Sequence, residues 1–278
     1  MSDMTNKCWW ITGASSGIGA ALARALAARG AFLILSGRDV AALESVAHQC
    51  RDDGAPDTLI LPFEATDYAA LPAIAQQAWA WRGQVDGLIN NAGISQRSLA
   101  VETDFSVYEK IIAVDLLAPI ALTQQLLPQM LGAGGGHIIA ISSVAGMAGI
   151  PLRSAYCAAK HGLIGYHDSV RAENEHMGLK VLVVAPGSVR TNVSRNALSA
   201  DGNVRGQSDK AIDNGLPPEE AARQILTALD EGKREIVVAE GMEAEIPALR
   251  RSDPDALFDR MNAMVQAGYA RQMAATES

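Results

Sequence analysis

The chain has 278 residues, of which 49% are hydrophobic, and its formal net charge is −8 at neutral pH. That length and apolar content suit one large α/β domain, or two small ones, with a sizeable core. The acidic balance argues against nucleic acid and against an anionic membrane surface as the main partners.

Two further features of the whole chain indicate a compartment. The three cysteines, Cys8, Cys50 and Cys157, form neither a CxxC pair nor a metal-ligand cluster. Such a sparse, odd set fits a reducing cytosol and predicts no metal site. The short polar N-terminus carries no signal peptide, and no segment is expected to reach the about 18 apolar residues of a membrane span. We therefore predict a cytoplasmic protein with no membrane span.

Short apolar runs alternate with longer helical patterns along the chain. Strands are predicted at 8–12, 32–36, 58–62, 85–90, 137–142, 180–185 and 235–239. Helices are predicted at 17–29, 40–52, 68–82, 105–131, 154–177 and 218–231. Strands that are apolar without polar alternation are typical of a parallel sheet buried on both faces. The pattern predicts a single α/β domain, a Rossmann-type doubly wound sheet of about seven parallel strands with helices on both faces.

Two segments fall outside this alternation. Residues 192–215 are polar and rich in glycine, which is typical either of a mobile lid over a substrate site or of a plain surface excursion. Residues 253–273 carry apolar residues at helical spacing and are predicted to form a C-terminal helical extension. That extension packs on the core, forms a subunit contact or, as a minor alternative, attaches to a membrane.

A glycine-rich loop connects the first predicted strand to the first helix, with the spacing Gly-x-x-x-Gly-x-Gly. Gly13 permits a tight turn, Gly17 lets the backbone approach a pyrophosphate, and Gly19 lets the helix pack closely on the strand. The helix N-terminus offers N–H groups and a favourable dipole to phosphates. A bare structural turn is the less favoured alternative. The predicted nucleotide contacts are Gly13, Ser15, Ser16, Gly17, Ile18 and Gly19.

In α/β nucleotide-binding domains the residues at the end of the second strand distinguish NADP from NAD. NAD enzymes often place an acid here, which hydrogen-bonds the adenosine ribose 2′-hydroxyl. In this chain Gly37 stands at the expected acidic position and Arg38 follows it. An arginine can fork onto a 2′-phosphate, and Ser36 can add a hydroxyl donor. These residues favour NADP over NAD, although Arg38 could instead be a solvated surface side chain and Asp39 could cap the next helix.

Tyr156 and Lys160 are four residues apart on a predicted helix, so the phenol and the ammonium share one face. A cation beside a phenol stabilises the phenolate and makes proton transfer to or from an oxygen feasible. Ser143 lies thirteen residues before the tyrosine and could polarise that oxygen. Alone, the pair is more often a solvated helix face, and its meaning depends on the other motifs.

Taken in order, the motifs resemble those of the short-chain dehydrogenase/reductase family over about residues 7–239. They are the glycine loop, Asn90-Asn91-Ala92-Gly93, Ser143, Tyr156-x-x-x-Lys160 and Pro186-Gly187. The segment Ser-Ala-Tyr-Cys-Ala-Ala-Lys and the polar loop before Pro217 are similar to the branch containing 11β-hydroxysteroid dehydrogenase and its bacterial relatives.

The resemblance implies a role for each matching residue. Tyr156 would be the general acid or base, Lys160 would hold the nicotinamide ribose, and Ser143 would hydrogen-bond the substrate oxygen, with Ser142 a weaker candidate. Asn91 would brace the sheet. The remaining cofactor contacts would be Asn90, Ala92, Gly93, Pro186, Gly187, Val189 and Thr191, with Val189 offering backbone groups to the carboxamide. The family also implies a homodimer or homotetramer.

Two positions depart from the family pattern. Asp115 stands where the family has an asparagine that supports a proton relay to the lysine, so we retain Asp115 as a relay candidate. It carries a charge and lacks the amide donor of asparagine. Glu64 stands where an aspartate contacts adenine, and Ala65 after it could offer its backbone instead.

The leading hypothesis is an NADP-dependent oxidoreductase that interconverts a secondary alcohol and a ketone, with NAD as a possible cofactor. The substrate pocket is expected to come from 94–99, 144–153 and 192–215, and its apolar residues favour a hydrophobic small molecule. One alternative is a non-catalytic NADP-binding sensor or scaffold on the same fold. Another is epimerisation or elimination on a bound nicotinamide, for which the sequence offers no additional acid or base.

Overall fold

The computed structural model describes residues 4–269. The strands are β1 (Cys8–Thr12), β2 (Phe32–Ser36), β3 (Thr58–Ile60), β4 (Gly87–Asn90), β5 (Gly136–Ile141), β6 (Leu179–Pro186) and β7 (Glu235–Val238). They form one seven-stranded sheet of parallel pairs in the order β3-β2-β1-β4-β5-β6-β7. The predicted parallel Rossmann-type sheet is confirmed.

Helices cover both faces of this sheet. They are α1 (Gly17–Ala27), α2 (Val40–Asp52), α3 (Leu71–Arg82), α4 (Phe105–Ile112), α5 (Ala118–Gly132), α6 (Ser154–Asn174), α7 (Lys210–Asp213), α8 (Pro218–Asp230), α9 (Gly241–Ser252) and α10 (Pro254–Gln266). Trp9 and Ile11 pack with residues of α1, α2 and α8, whereas Cys8 and Trp10 pack with residues of α3, α5 and α6. Successive side chains of a strand point to opposite faces, so the two clusters are the two sides of the sheet.

The strand order places β1 between β2 and β4. The connections run outward in both directions from this point, and ligands of open α/β sheets bind in the crevice outside the carboxyl ends of such strands. The fold therefore positions the glycine loop after β1 beside the Asn90-Asn91-Ala92-Gly93 segment after β4.

The helix predicted at 105–131 is not regular throughout. Between α4 and α5 the chain forms a π-helical segment, Ala113–Leu117, in which Asp115 is the buried residue. A π segment inserts one extra residue into a helix and is often found at a functional site. By length and composition alone, Phe105–Gly132 is also apolar enough to cross a membrane, which revises the expectation from the sequence. The core helix of a soluble protein can be as long and as apolar as this one, and α5 buries Leu122 and Leu126 in the core.

The C-terminal region contains one helix that the sequence did not predict. Helix α9 has Pro247 in its interior, and an interior proline removes a helical hydrogen bond. Helix α10 lies within the predicted extension, of which residues 270–273 fall outside the described residues. Ile246 of α9 and Leu257 of α10 pack on Val144 and Ala148. The single-domain organisation and the lid at 192–215 stay predictions.

Candidate functional site

A cleft of about 630 Å³ lies at the carboxyl ends of the central strands. Of the predicted catalytic and cofactor-contact residues, all but Gly19 line it. Gly19 lies beneath the glycine loop, where a Cβ would stand 2.3 Å from the carbonyl oxygen of Gly13. The fold therefore brings into one cleft residues that are spread from Gly13 to Thr191 in the chain.

Two glycines of the loop adopt backbone conformations that favour glycine. Gly13 has φ +63° and Gly17 has φ +56°, in the left-handed region where a side chain is strained. A Cβ at Gly13 would lie 2.9 Å from Ala92 Cα, and a Cβ at Gly17 would lie 2.8 Å from Thr191 Cγ2. The loop consequently presents backbone at the N-terminus of α1, where N–H groups can receive phosphate oxygens.

Thr12 and Asn91 hold this loop against β4. The Thr12 hydroxyl donates to the Ile89 carbonyl at 3.2 Å and accepts from the N–H groups of Asn91 and Ala92 at 3.0 and 3.1 Å. The Asn91 amide nitrogen donates to the Thr12 and Gly13 carbonyls at 2.9 and 3.1 Å. Asn91 thus has a bracing position, as the sequence indicated, and Thr12 is a bracing residue that the sequence did not single out.

Lys160 and Asp115 form a buried ion pair in the cleft. Lys160 Nζ lies 3.1 Å from Asp115 Oδ2 and donates to the Ile141 carbonyl at 3.2 Å. Asp115 Oδ1 accepts the Ile94 N–H at 2.8 Å. Burial lowers the pKa of Lys160, but the Asp115 carboxylate and Tyr156 outweigh burial, so the pKa lies above its usual value. Burial raises the pKa of the Asp115 carboxyl, and the Lys160 ammonium opposes that rise.

Tyr156 and Ser143 border the cleft beside this pair. Lys160 Nζ lies 5.5 Å from the centroid of the Tyr156 ring. The Ser143 hydroxyl donates to the Pro186 carbonyl at 3.2 Å, a long bond that a better acceptor can replace. Ser142 is different, because its buried hydroxyl donates to the Lys160 carbonyl at 2.9 Å. That bond supports α6, which agrees with the weaker candidacy of Ser142.

At the other end of the cleft the structure corrects one prediction. The Ser36 hydroxyl accepts from Trp10 Nε1 at 2.8 Å and donates its proton to the Leu61 carbonyl at 2.6 Å. Ser36 is fully buried, and a hydroxyl has one proton, so it is not the donor to a 2′-phosphate that the sequence indicated.

The charged residues at this end remain available at the surface. Arg38 is exposed and lies 3.8 Å from Glu64 in a loose ion pair. Glu64 also accepts from the Thr66 hydroxyl at 3.2 Å. Asp39 Oδ1 accepts the Ala42 N–H at 3.0 Å, which confirms the alternative that Asp39 caps α2.

The end of the cleft beyond Tyr156 is mainly apolar. Its side chains come from the loop after β4 and from the segment 192–215: Ile94, Asn192, Val193, Asn196, Leu198, Val204 and Ile212. Residues 95–99 and 144–153 do not line the cleft, which corrects the sequence expectation for those two segments. Instead Val144 and Ala148 pack against the C-terminal helices.

Behind this apolar end lies a charged cluster that the sequence did not reveal. Arg97 Nε donates to Asp209 Oδ2 at 2.6 Å, Arg153 Nη2 lies 3.5 Å from the same oxygen, and Arg205 pairs with Asp209 Oδ1. Three arginines from three segments therefore meet one buried aspartate. Arg205 lies only four residues before Asp209, but Arg97 lies 112 residues before it, so local spacing in the sequence does not signal the whole cluster.

Comparison with known proteins identifies the family of this chain. The family model described as short chain dehydrogenase matches residues 7–202. Dehydrogenase/reductase SDR family member 7B of Bos taurus is 38% identical over 256 residues, which cover 90% of this chain and 79% of that protein. The chain belongs to the short-chain dehydrogenase/reductase family. Dehydrogenase/reductase SDR family member 7 of Homo sapiens is 34% identical over 247 residues, covering 86% of this chain and 71% of that protein.

Solved structures agree with this membership. A short-chain dehydrogenase from Streptomyces avermitilis superposes with a TM-score of 0.78 at 27% identity, covering 95% of this chain and 99% of that one. Levodione reductase also has a TM-score of 0.78, at 26% identity, covering 87% of this chain and 99% of that one. As a short-chain dehydrogenase/reductase, the protein is an NAD(P)-dependent oxidoreductase that acts on CH–OH groups, which confirms the predicted enzyme class.

The cleft fits the nicotinamide cofactor of the short-chain dehydrogenase/reductase family. Its glycine loop presents backbone to phosphates. Gly93 lets the loop after β4 lie against Asp115, since a Cβ there would stand 2.7 Å from Asp115 Oδ2. Within residues 4–269, no three His, Cys, Asp or Glu side chains group in a way that could hold a metal ion.

Proposed function

We propose that this protein is an NADP-dependent oxidoreductase that interconverts a secondary alcohol and a ketone on a hydrophobic small molecule. One observation carries the proposal: Ser143, Tyr156 and the buried Lys160–Asp115 pair line the same cleft as the glycine loop. The apolar end beyond Tyr156, with amide groups only at Asn192 and Asn196 among the residues named there, supports a neutral, hydrophobic substrate.

The side chains divide the proton chemistry among themselves. In ketone reduction Tyr156 donates its phenolic proton to the carbonyl oxygen, and in alcohol oxidation it accepts that proton. The bound nicotinamide supplies or takes the hydride. Ser143 donates a hydrogen bond to the same oxygen as charge develops there. The Lys160 ammonium stabilises the phenolate that forms when Tyr156 gives up its proton. The Asp115 carboxylate lies 3.1 Å from that ammonium and holds it in place.

The preference for NADP rests on Arg38. Its guanidinium is free to reach past the end of β2 and is restrained only by a 3.8 Å contact to Glu64 among its described neighbours. A planar guanidinium binds a phosphate with two parallel hydrogen bonds. We assign Glu64 and Ala65 to the adenine side of the same end.

Turnover of a ketone panel with NADPH and NADH tests the proposal. Wild-type protein is expected to oxidise NADPH with at least one hydrophobic ketone. The Tyr156→Phe variant is expected to lose at least about a hundredfold in kcat, because general acid catalysis is worth that much, while its Kd for NADPH stays within about twofold. Cofactor binding without turnover on any ketone would instead support a sensor, and a wild-type rate in the variant would contradict the role of Tyr156.

We also propose a cytoplasmic homodimer or homotetramer. The three cysteines are buried and free, which supports a reducing compartment. Leu117 is exposed at the end of the π segment between α4 and α5, and it would lie at a subunit contact. Light scattering on the purified protein measures the assembly, and a monomer would contradict this part of the proposal.

A further inference from the structure

One side chain in the first turn of α9 ties that helix to the loop that follows β6. The Glu243 carboxylate accepts the Ser188 backbone N–H at 2.5 Å with Oε2 and the Ser188 hydroxyl at 2.9 Å with Oε1. Gly187 makes room for this contact, since a Cβ there would stand 2.4 Å from Glu243 Oε2. A side chain at position 187 would therefore displace the Glu243 carboxylate from Ser188.

The same loop is held from its other side by Leu216. The Leu216 N–H donates to the Ser188 carbonyl at 3.0 Å, and the Arg190 N–H donates to the Leu216 carbonyl at 2.9 Å. These two bonds form a parallel bridge between Val189 and Leu216. In such a bridge the residues that flank the central one make the bonds, and the N–H and C=O of the central residue point the opposite way. The backbone groups of Val189 thus face away from Leu216, and Val189 lines the cleft.

We propose that Glu243 is a positioning residue that holds Ser188 so that the Val189 backbone N–H and C=O meet the nicotinamide carboxamide. The inference rests on the proposed function, in which the carboxamide lies beside Val189. It gives the C-terminal helices a part in the site, although they lie beyond residues 7–202 matched by the family model.

A carboxylate suits this position for a physical reason. Both of its oxygens are acceptors, and Ser188 offers two donors, so neither donor is left without a partner. Hydrogen bonds to a charged acceptor are stronger than neutral ones. Two bonds from one side chain also fix the rotation of the Ser188 peptide, and the next peptide in the chain carries the Val189 N–H.

Binding measurements on two ligands separate positioning from general damage. NADPH is compared with 2′-phospho-ADP-ribose, which lacks only the nicotinamide, by titration calorimetry. Glu243→Ala is expected to raise the Kd for NADPH by roughly tenfold, the scale of a lost charge-assisted hydrogen bond, and to change the Kd for the truncated ligand less than about twofold. Glu245→Ala, an exposed glutamate of the same helix, is the matched control and is expected to leave both constants unchanged.

Two more variants keep the test decisive if Glu243→Ala fails to fold. Ser188→Ala removes one of the two bonds without altering α9 and is expected to weaken NADPH alone, by a smaller factor. Glu243→Gln keeps one acceptor and is expected to recover much of the NADPH affinity. Equal weakening of both ligands, or no weakening of NADPH in any variant, overturns the positioning role.

Wild-type binding shows separately whether the proposed function holds. A wild-type protein that binds neither NADPH nor NADH contradicts the proposed function itself. If NADH is the tighter ligand, only the NADP preference fails. The variants are then compared with NADH and ADP-ribose. Glu243→Ala is again expected to weaken the full cofactor by roughly tenfold and the truncated ligand by less than about twofold. Equal weakening of both ligands, or no weakening of NADH, overturns the positioning role.

Discussion

The proposed preference for NADP depends on a single side chain, that of Arg38. Its position after Gly37 is readable from the sequence, because the acid expected at the end of β2 is missing there. The structure adds that its nearest charged partner among the described residues is Glu64 at 3.8 Å. Exposed ion pairs of this length are weak, so a phosphate could displace the carboxylate. The structure also shows that Ser36 is not a phosphate donor. Its hydroxyl donates its one proton to the Leu61 carbonyl.

Charge reversal at this residue is expected to change the cofactor preference. Arg38→Asp should raise the Kd for NADPH at least about tenfold and leave the Kd for NADH within about threefold, because only NADPH places a phosphate beside the new carboxylate. Fluorescence titration with both cofactors measures the ratio. Glu64→Gln is the companion variant and should tighten NADPH by about twofold, since it frees Arg38 from its partner. An unchanged ratio in Arg38→Asp would remove the argument for NADP.

The π segment between α4 and α5 determines which groups the Asp115 carboxylate contacts. A regular helix from 105 to 132 would give Asp115 a different rotation about the helix axis, because one extra residue shifts the helical phase by about 100°. In the structure its carboxylate meets Lys160 of α6 and the Ile94 N–H after β4. The sequence indicated the position and the departure from asparagine. It also indicated a relay that places the Asp115 carboxylate near Lys160, but not the direct 3.1 Å contact, which needs the packing of three separate elements.

The isosteric change Asp115→Asn is expected to shift the pH dependence of alcohol oxidation. The amide oxygen can still accept the Ile94 N–H, while the negative charge beside Lys160 is lost. The carboxylate is the largest influence that raises the pKa of buried Lys160. Its loss lets burial lower that pKa, so the alkaline end of the rate profile, where Lys160 must stay charged, should move to lower pH. Steady-state rates between pH 6 and 10 measure the shift, with exposed Glu109→Gln as the control. A shift to higher pH, or none, would contradict the ion-pair role.

The interior of the protein contains buried polar groups as well as apolar ones. His167 of α6 is fully buried, with Nδ1 2.9 Å from the Leu163 carbonyl and Nε2 3.4 Å from the Asn90 amide nitrogen. A carbonyl only accepts, so Nδ1 carries the proton and Nε2 is the acceptor. Burial lowers the pKa of His167 to about 4, against the opposing effect of the Leu163 carbonyl.

This lowered pKa predicts a loss of stability in mild acid. The unfolded chain binds a proton at this histidine below a pKa of 6.5, whereas the folded chain does so only near pH 4. The stabilisation is therefore complete above pH 6.5 and is lost as the pH falls toward 4. Between pH 7 and pH 5 the wild-type free energy of unfolding should fall by about 2 kcal/mol more than that of His167→Gln.

Urea unfolding at pH 7, 6 and 5 measures this difference. His161→Gln, at an exposed position of the same helix, is the control and should keep the wild-type acid dependence. Equal acid dependence in wild type and His167→Gln would contradict the assignment of the neutral imidazole.

The sequence alone determined the parallel sheet, the glycine loop and the order of the motifs. Those features depend on local spacing: apolar runs bury a strand on both faces, and glycines permit the turn before α1. The tertiary structure decided which distant groups meet. Asp115 contacts Lys160, and three arginines surround Asp209. The Ser36 hydroxyl donates to Leu61 and not to a phosphate. Glu243 accepts two hydrogen bonds from Ser188. Such contacts join residues many positions apart, and their geometry depends on how whole elements pack, which residue spacing does not encode.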